Sequence, residues 1–225
     1  MARIHPLLVG GLFLSAVSMG CSVPYYPAAP GQISRYAVSS SGKSSGLSVE
    51  VTSVKSGDIT LRETTPHSTL KTELLCNAAG ISSVRGGILL GNPTVTSQFK
   101  TGPIQGVLLP AGPWRVGLRW RYSYAVRSQS QSGNVSVGLK ATVTVTSVVV
   151  GEKRVSTPAG SFESEEVKST ELFSGTEQAA GQAVPFRETV LVTSYYSERV
   201  GLVEQISRLQ GPVPAVTTTL VAFQP

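Results

Sequence analysis

The sequence predicts an all-β protein built from antiparallel meanders. Charged residues make up only 14% of the 225 residues, and valine, serine, threonine and glycine are abundant, as is typical of half-buried strands joined by turns. Apolar and polar side chains alternate over residues 114–127 with the period of a strand. No segment shows sustained helical periodicity. We therefore expect a curved sheet, half-barrel or sandwich-like.

Turn signals separate the predicted strands. Lys55-Ser-Gly-Asp58 and Thr157-Pro-Ala-Gly160 each contain the glycine that a tight hairpin needs. Residues 101–113, which are rich in glycine and proline, predict a connector between two halves of the chain. The predicted strands are 46–55, 58–64, 69–76, 94–100, 114–127, 134–150, 161–173, 187–197, 200–209 and 214–223.

The chain also resembles itself, which favours an internal duplication. The matching segments, in the same order, are Gly31–Tyr36 with Gly117–Tyr122, Val49–Val54 with Val143–Val148, and Thr72–Ile81 with Thr193–Leu202. We therefore expect a first β repeat over residues 32–100 and a larger second repeat over 114–225. The residues expected to superpose are Tyr36 with Tyr122, Gly80 with Gly201, and Cys76 with Ser197.

The start of the chain has the layout of a secretory signal. Arg3 precedes an uncharged apolar run that is shorter than the roughly 20 residues of a membrane span. The residues before Cys21 read Val-Ser-Met-Gly and resemble the bacterial lipobox, where signal peptidase II cleaves before a cysteine that receives acyl chains such as palmitate. We predict a signal peptide over residues 1–20, an anchor at Cys21, and a proline-stiffened lipidated tether over residues 21–31.

A lipidated Cys21 would hold the protein in the cell envelope. Ser22 stands where an aspartate marks inner-membrane retention in enteric bacteria, so we expect the outer membrane, on its periplasmic face or surface, in a Gram-negative host. An ordinary signal peptide cleaved after Ala28 or Ala29 is the alternative. With Cys21 lipidated, we expect Cys76 to be a buried, unreactive thiol and not half of a disulfide, since it follows an apolar run.

A basic surface is a second candidate site. The formal net charge is +6, a mild excess that favours anionic lipid head groups or cell-wall polymers. Arg115, Arg119 and Arg121 lie on one face of the predicted strand 114–127, where they could bind acidic groups such as phosphates. The alternative partners for these arginines are Glu163, Glu165 and Glu171 on a neighbouring strand. We do not expect an exported, anchored chain to bind nucleic acid.

The inventory of reactive groups argues against an enzyme. After removal of the signal peptide, a catalytic triad would have to use His67, Asp58 or Cys76. Asp58 lies in a predicted hairpin turn and His67 in a predicted loop, where turn chemistry explains them. No cluster of histidine and cysteine predicts a metal site, so we expect neither metal nor cofactor. Glu163 and Glu165 share a strand face, which we interpret as solvated rather than as a pair of catalytic acids.

The second half of the chain resembles a family of uncharacterised bacterial envelope β domains. The resemblance rests on a Gly-x-x-Trp-x-Tyr strand, a Pro-Ala-Gly-x-Phe hairpin, and an aromatic pair shortly before Gly-Leu-Val. The matching positions are Trp120, Pro158, Ala159, Gly160, Phe162, Tyr195, Tyr196, Gly201, Leu202 and Val203. The resemblance covers residues 106–209, whereas the first half lacks the Pro-Ala-Gly turn and the aromatic pair. It implies an architecture and an envelope location, but no activity, because the family has none established.

Two functions remain open on the sequence alone. We favour a non-catalytic structural, assembly or protein-binding role, in which sheet edges and faces contact another envelope protein. The alternative is a carrier or sensor of an apolar or lipid-like ligand held in the hollow of the curved sheet. The aromatic stripe of Trp120, Tyr122 and Tyr124 is expected to belong to the core rather than to a ligand pocket.

Overall fold

The computed structural model describes residues 23–26, 28–86, 98–132, 135–179 and 182–225. Every helix or strand in this part of the chain is a β-strand, so the predicted all-β class is confirmed. The strands are β1 (Ile33–Ser40), β2 (Lys43–Lys55), β3 (Asp58–Thr65), β4 (Ser68–Asn77), β5 (Gly80–Gly86), β6 (Gln98–Thr101), β7 (Gln105–Gly106), β8 (Leu109–Pro110), β9 (Arg119–Ser132), β10 (Val135–Thr157), β11 (Gly160–Ala179), β12 (Gln182–Ser197), β13 (Gly201–Leu209) and β14 (Val216–Gln224). Within the described residues, no helix is long and apolar enough to span a membrane.

All these strands belong to one antiparallel sheet made of two meanders. The first meander contains β1–β5 and the second contains β9–β13, and β14 joins them by pairing with both β13 and β1. The connector, residues 98–110, runs between the two ends of this sheet: β6 and β7 pair with β9, and β8 pairs with β5. The ladder of the described strands stays open, because β6 and β8 end it without pairing with each other.

The two meanders share a detail of their ladders. Tyr36 and Tyr122 each pair with a residue of the following strand, β2 or β10. Four residues after that partner, the pairing of β2 with β3, or of β10 with β11, shifts its register. The facing and shifting residues are Leu47 and Val51 in the first meander, and Val145 and Val149 in the second. Tyr36 and Tyr122 therefore take equivalent places. The predicted match of Val49–Val54 with Val143–Val148 pairs Val51 with Val145. The register shifts instead make Val51 equivalent to Val149, so the match is displaced by four residues.

A second shared detail lies in the β4–β5 and β12–β13 hairpins. Gly80 and Gly201 open the second strand of each hairpin, and both have a positive φ. In each ladder the register shifts after the first two residue pairs. The residue before the shift is Cys76 in the first hairpin and Tyr196 in the second. The predicted equivalence of Cys76 with Ser197 is thus wrong by one residue, and the duplication itself stays a prediction.

The main core lies between the two meanders and includes the N-terminal segment. Its buried members are Val23, Tyr25, Val51, Ile59, Leu61, Leu74, Cys76, Ile81, Leu109, Trp114, Val149 and Val167. Val23 is 2% exposed and Tyr25 is 5% exposed, and the Arg199 amide donates a hydrogen bond of 3.0 Å to the Pro24 carbonyl. The tether predicted over residues 21–31 is therefore wrong for Val23–Tyr26, because apolar side chains here gain more from the core than from water.

The start of β9 also differs from the prediction. The strand expected from residue 114 begins at Arg119, because a turn precedes it in which Gly117 has a φ of 90°. Val116, which lies on the apolar phase of the alternation predicted over residues 114–127, is 66% exposed, whereas Trp114 is buried in the main core. From Trp120 to Val126 the predicted alternation holds, with Tyr124 and Val126 buried and Arg127 exposed.

Candidate functional site

The inner face of β11 carries two carboxyl groups. Val167 lies on this face in the main core, and alternation places Glu165 and Glu171 on the same side. Glu171 pairs with Val145 on β10, which in turn pairs with Tyr122 on β9. Val145 is buried, so this row of residues faces the interior. The carboxyl of Glu171 thus points away from solvent and towards the inside of the sheet.

Tyr122, Tyr124 and Tyr196 interact electrostatically with Glu171, and Tyr196 in turn interacts with Tyr26 and Tyr36. We call this group the tyrosine–glutamate site. Its members are Tyr26 of the N-terminal segment, Tyr36 of β1, Tyr122 and Tyr124 of β9, Tyr196 of β12, and Glu171 of β11. The rings of Tyr122 and Tyr124 stack, with their centroids 6.2 Å apart and their planes at 13°. The site therefore brings five phenols and one carboxyl together inside the sheet.

Burial dominates the electrostatics of this site. It raises the pKa of Glu171 to about 7, and it raises the pKa of both Tyr36 and Tyr196 to about 12. The pKa of Tyr122 is raised first by burial and then by the negative charge of Glu171. Among the described residues, no lysine or arginine lies at ion-pair distance from the Glu171 carboxylate. Glu171 is therefore a desolvated acid without a counter-cation.

These groups are partly buried. The side chains of Tyr26, Tyr122, Glu171 and Tyr196 each keep part of their surface accessible, although burial shifts their pKa values. By contrast, Ile59 in the main core has no exposed surface. The three tyrosines also pack against the hydrophobic clusters of the interior.

Charge is segregated between the inside and the outside of the protein. Every lysine and arginine whose side chain the structure describes is exposed. The described interior instead contains the carboxyls of Glu165 and Glu171 and the phenols of the tyrosine–glutamate site. Among the side chains that the structure describes, the positive charges therefore lie on the outer surface, and the ionisable groups of the interior are acids and phenols.

Glu165 holds the N-terminal segment at one end of the interior. The Tyr25 hydroxyl donates a hydrogen bond of 3.4 Å to Glu165 Oε1, and the Tyr25 ring stacks on Trp114 with centroids 4.3 Å apart. Glu165 is 9% exposed, and its Oε2 is buried without a hydrogen-bond partner. Burial first, and then the charge of Glu152, raise the pKa of Glu165. The Tyr25 contact therefore closes this end of the sheet.

The arginine face is exposed, but its alternative partners lie elsewhere. Arg119 and Arg121 lie on the outer face of β9, and Arg115 is exposed in the turn before it. Of the three glutamates, Glu163 lies 3.7 Å from Arg154, Glu165 accepts from Tyr25, and Glu171 faces the interior. The interpretation that pairs these glutamates with the arginine face is therefore wrong. Anion binding by Arg115, Arg119 and Arg121 stays a prediction.

The structure tests the prediction for Cys76 but not the one for Cys21. Cys21, the predicted lipidation site, lies outside the described residues. Cys76 is 7% exposed, which agrees with a buried sulfur, but it is disulfide-bonded, which contradicts the expectation of a thiol. His67 and Asp58, the other residues weighed for catalysis, lie at opposite ends of β3, roughly 25 Å apart by the rise of a strand.

The motifs of the second half meet around β12 and β13. Phe162, Tyr195 and Val203 pack together in a small cluster with Val155. Tyr196, the other member of the aromatic pair, packs with Trp120 against the main core. The Trp120 indole donates a hydrogen bond of 3.0 Å to the Leu108 carbonyl. Trp120 thus packs against the main core, and Tyr122 and Tyr124 pack in a second hydrophobic cluster, as predicted for this aromatic stripe.

Sequence reasoning missed Glu171 and Tyr26 as functional candidates. A signal for Glu171 was present, because it lies four residues after Val167 and two before Phe173, on the apolar phase of its strand. No local signal marked Tyr26, since its neighbours include prolines that are typical of a tether. Its place in the site depends on packing between distant parts of the chain.

Solved structures share this fold. A candidate lipoprotein from Parabacteroides distasonis is 15% identical, with a TM-score of 0.56 over 90% of this chain and 99% of that one. A candidate exported protein with a YmcC-like fold from Bacteroides fragilis is 14% identical, with a TM-score of 0.57 over 90% of this chain and 100% of that one. The hypothetical lipoprotein YmcC of Escherichia coli matches more weakly, with a TM-score of 0.40 and 9% identity over 85% of each chain.

Comparison at the sequence level gives no relative. No protein family model matches the chain, and no curated protein matches it. The resemblance of residues 106–209 to a family of envelope domains therefore stays an interpretation. The structural similarity establishes that this chain has the fold of the Parabacteroides and Bacteroides proteins.

Proposed function

We propose that this protein is a lipid-anchored, non-catalytic binding protein of the bacterial cell envelope. The signal-like start of the chain and the lipobox-like residues before Cys21 support this location. Two proteins with the same fold are described as a candidate lipoprotein and a candidate exported protein, which also supports it. We propose an outer-membrane anchor if the host is Gram-negative.

The proposed binding role is that of a carrier or sensor of a small amphiphilic ligand. The observation that supports it is the tyrosine–glutamate site, where partly buried phenols and a partly buried carboxyl meet on the inner face of the sheet. A structural or assembly role would depend on sheet edges.

The proposed anchor would hold the folded body close to the bilayer. Val23 is buried in the main core, and only two peptide units separate it from Cys21. Because an extended chain spans about 3.5 Å per residue, the Val23 Cα would stay within about 7 Å of the Cα of the lipidated residue. Lipidation would use the Cys21 sulfur in a thioether, so the lipidated protein could not contain the disulfide found at Cys76, since Cys21 is the other cysteine of the chain.

Labelling with palmitate in the host tests the anchor. The wild-type chain and a Cys76→Ser variant should both incorporate label and fractionate with membranes, whereas Cys21→Ser should not. Label in the Cys21→Ser variant, or its absence in the wild type, would overturn the anchor. The carrier role is tested by native mass spectrometry of the protein purified from its host. A bound small molecule supports it, and a bound protein without a small molecule would favour assembly instead.

A further inference from the structure

We infer that the outer side of strands β9–β12 docks on a surface of anionic phospholipid, so that these long strands lie along the membrane. The inference goes beyond the proposed carrier role, because it assigns a membrane-facing surface and an orientation. It follows from the charges on this side of the strands, the charges on their other side, and the place where the N-terminal segment joins the body. Only the last of these depends on the anchor proposed above.

One side of β9–β12 carries a group of cations that we call the basic outer face. The side chains of Tyr124, Val145 and Val167 are buried on the inner side, and residues that alternate with such positions point outwards. The basic outer face consists of Arg119, Arg121, Arg127, Lys140, Lys168 and Arg187, all of which are exposed. Over residues 119–127, 140–149, 166–178 and 183–193, the one carboxylate on this side is that of Glu166, 3.8 Å from Lys168 Nζ.

Some of these cations are close to each other across the sheet. Arg127 pairs with Lys140 on the neighbouring strand. Arg119 and Lys168 lie on a common row, because both pair with Val148. Like charges that face each other on neighbouring strands repel. Among the described residues, no carboxylate lies at ion-pair distance from Arg119, Arg127 or Lys140, so an external anion can relieve this repulsion.

The first meander instead pairs cations with its own carboxylates. Arg62 of β3 forms an ion pair with Glu50 of β2. On β4, Lys71 Nζ lies 2.8 Å from Glu73 Oε1. An approaching anion would compete there with acids of the protein itself. The first meander is therefore a poorer surface for an anionic partner than the basic outer face.

The inner side of the same long strands has the opposite charge. It carries no lysine or arginine over residues 119–127, 139–149, 165–177 and 184–196. Its acids include Glu188, which pairs with Phe173 of an interior cluster, and Glu177, four residues after Phe173 on the same strand. An anionic surface attracts the outer side and repels the inner side, so this asymmetry determines which side docks.

The N-terminal segment joins the body where the basic outer face begins. Tyr25 stacks on Trp114, and Arg119 opens β9 five residues further on. The proposed lipid-bearing residue, Cys21, lies only two positions before the buried Val23. The anchor would therefore hold this end of the face at the surface of the bilayer.

The far end of the face distinguishes two orientations of the body. Arg127 lies eight residues after Arg119 in β9, roughly 26 Å away by the rise of a strand. The field of a charged leaflet falls off over about 8 Å at physiological salt. Arg127 and Lys140 can therefore contribute to binding only if the strands lie along the membrane, and not if the body stands upright on its anchor.

Co-sedimentation with vesicles tests the docking. The protein is used without residues 1–21, so that it keeps the whole described body but has no anchor. Vesicles of phosphatidylcholine with about one third phosphatidylglycerol should bind it at low salt and release it at about 0.5 M salt. Vesicles of phosphatidylcholine alone should not bind it. An absence of binding to the anionic vesicles at low salt would overturn the inference.

Acetylation of lysines then maps the side that docks. Neither lipid contains a primary amine, so an amine-reactive ester modifies only the protein, and mass spectrometry measures each site. Lys140 and Lys168 should be protected by the anionic vesicles. Lys43 and Lys55, exposed on β2 of the first meander, should react as in the free protein.

A double variant, Arg127→Gln with Lys140→Gln, tests the far end. It should bind the anionic vesicles at least about threefold more weakly. Its midpoint of urea unfolding should not fall, because the substitutions remove a repulsive pair. Lys43→Gln with Lys55→Gln is the matched control, since it removes the same net charge and should bind nearly as the wild type. Should the first variant fail to fold, the acetylation pattern of the wild type decides.

The remaining outcomes each contradict the inference in a different way. Equal protection of all four lysines, or equal losses in the two variants, would mean that net charge drives binding. Tighter binding to polyglutamate than to vesicles of equal charge would indicate an acidic protein partner. Protection of Lys140 and Lys168 without vesicles, lost on dilution, would indicate that a second copy covers the face. None of these outcomes bears on the anchor or the carrier role, because the protein used has no anchor and no ligand is added.

Discussion

The two meanders have the same strand order but different interiors. The inner face of β3–β5 is apolar, and Ile59, Leu61 and Ile81 are buried in the main core. The inner face of β11 and β12 instead includes Glu165, Glu171 and Tyr196. The second meander also contributes apolar residues such as Val143, Val145 and Val167 to the interior. The comparison shows that the same strand order can carry carboxyl and phenol groups beside the apolar core in one half and not in the other.

Strand length contributes to the same difference. β3 has 8 residues and β11 has 20. Counted from the equivalent shifts at Leu61 and Val167, Glu171 corresponds to Thr65, the last residue of β3. The second meander therefore continues where the first one ends, and the carboxyl lies at this boundary. The additional length of the second meander provides inner surface that the first meander cannot cover.

The largest expected effect concerns the contact that joins the two regions. Trp114 packs against Tyr25, Trp120 and Tyr196, so Trp114→Ala should remove much of the core at this end. We expect a loss of about 3–5 kcal/mol in the free energy of unfolding, measured by urea denaturation. Val116→Ala, two residues away at an exposed position, should cost less than about 0.5 kcal/mol. Similar losses in the two variants would show that Trp114 does not link the halves.

Substitution of the partly buried Glu171 should have the opposite effect on stability. The pKa of Glu171 is raised from 4.5 to about 7 in the folded state, so the folded protein binds a proton that the unfolded chain releases. This contribution to stability is complete below pH 4.5 and is lost as the pH rises through about 7. Glu171→Gln should therefore be more stable than the wild type at pH 8.5, by about 2 kcal/mol. The difference should shrink at pH 5.

Urea unfolding of the wild type and Glu171→Gln at both pH values measures this difference. Glu163→Gln provides the control, because Glu163 is exposed and should show little change between the two conditions. A Glu171→Gln variant that is equally destabilised at pH 5 and pH 8.5 would mean that the carboxyl makes a favourable contact. The contrast between an apolar and a polar interior would then be weaker than we describe.

The N-terminal segment provides a smaller test at the boundary of the two regions. Tyr25→Phe keeps the stacking on Trp114 but removes the hydroxyl that donates to Glu165 Oε1. Oε2 of this buried carboxyl already lacks a hydrogen-bond partner, and Oε1 would lose its donor. We therefore expect a loss of about 1–2 kcal/mol in the free energy of unfolding. The loss should be larger at pH 8 than at pH 5, because a charged carboxylate needs the donor more. An unchanged stability would show that the contact is not formed.

The smallest expected effect concerns the outer face. The double variant Arg119→Glu, Arg121→Glu should bind vesicles of anionic phospholipid about threefold to tenfold more weakly at low salt. The protein is used without residues 1–21, so that no lipid anchor contributes to binding. Arg35 and Arg208, exposed on β1 and β13, provide the control pair for the same reversal. Sedimentation with the vesicles measures the bound fraction. Equal losses in both pairs would mean that overall charge, and not the arginine face, drives binding.

The sequence predicts the fold better than the site. Alternation and turn glycines predict most strands, because these signals are local to each hairpin. The site depends on contacts that no local pattern encodes. Tyr26 follows a proline and reads as part of a tether until the core buries it. Glu171 has the right phase for the interior, but a charged residue is usually expected on the wet face, so only the packing of β10 and β12 on either side shows its position.

The central claim is that Glu171 is a desolvated acid on the inner face of the sheet, and a carbon-13 NMR titration of its side-chain carboxyl tests this claim most directly. The resonance is assigned by its loss in Glu171→Gln. We predict an apparent pKa of about 7, because burial disfavours the charged form. An ordinary pKa near 4.5 would contradict the burial of the carboxyl and the contrast between the two meanders.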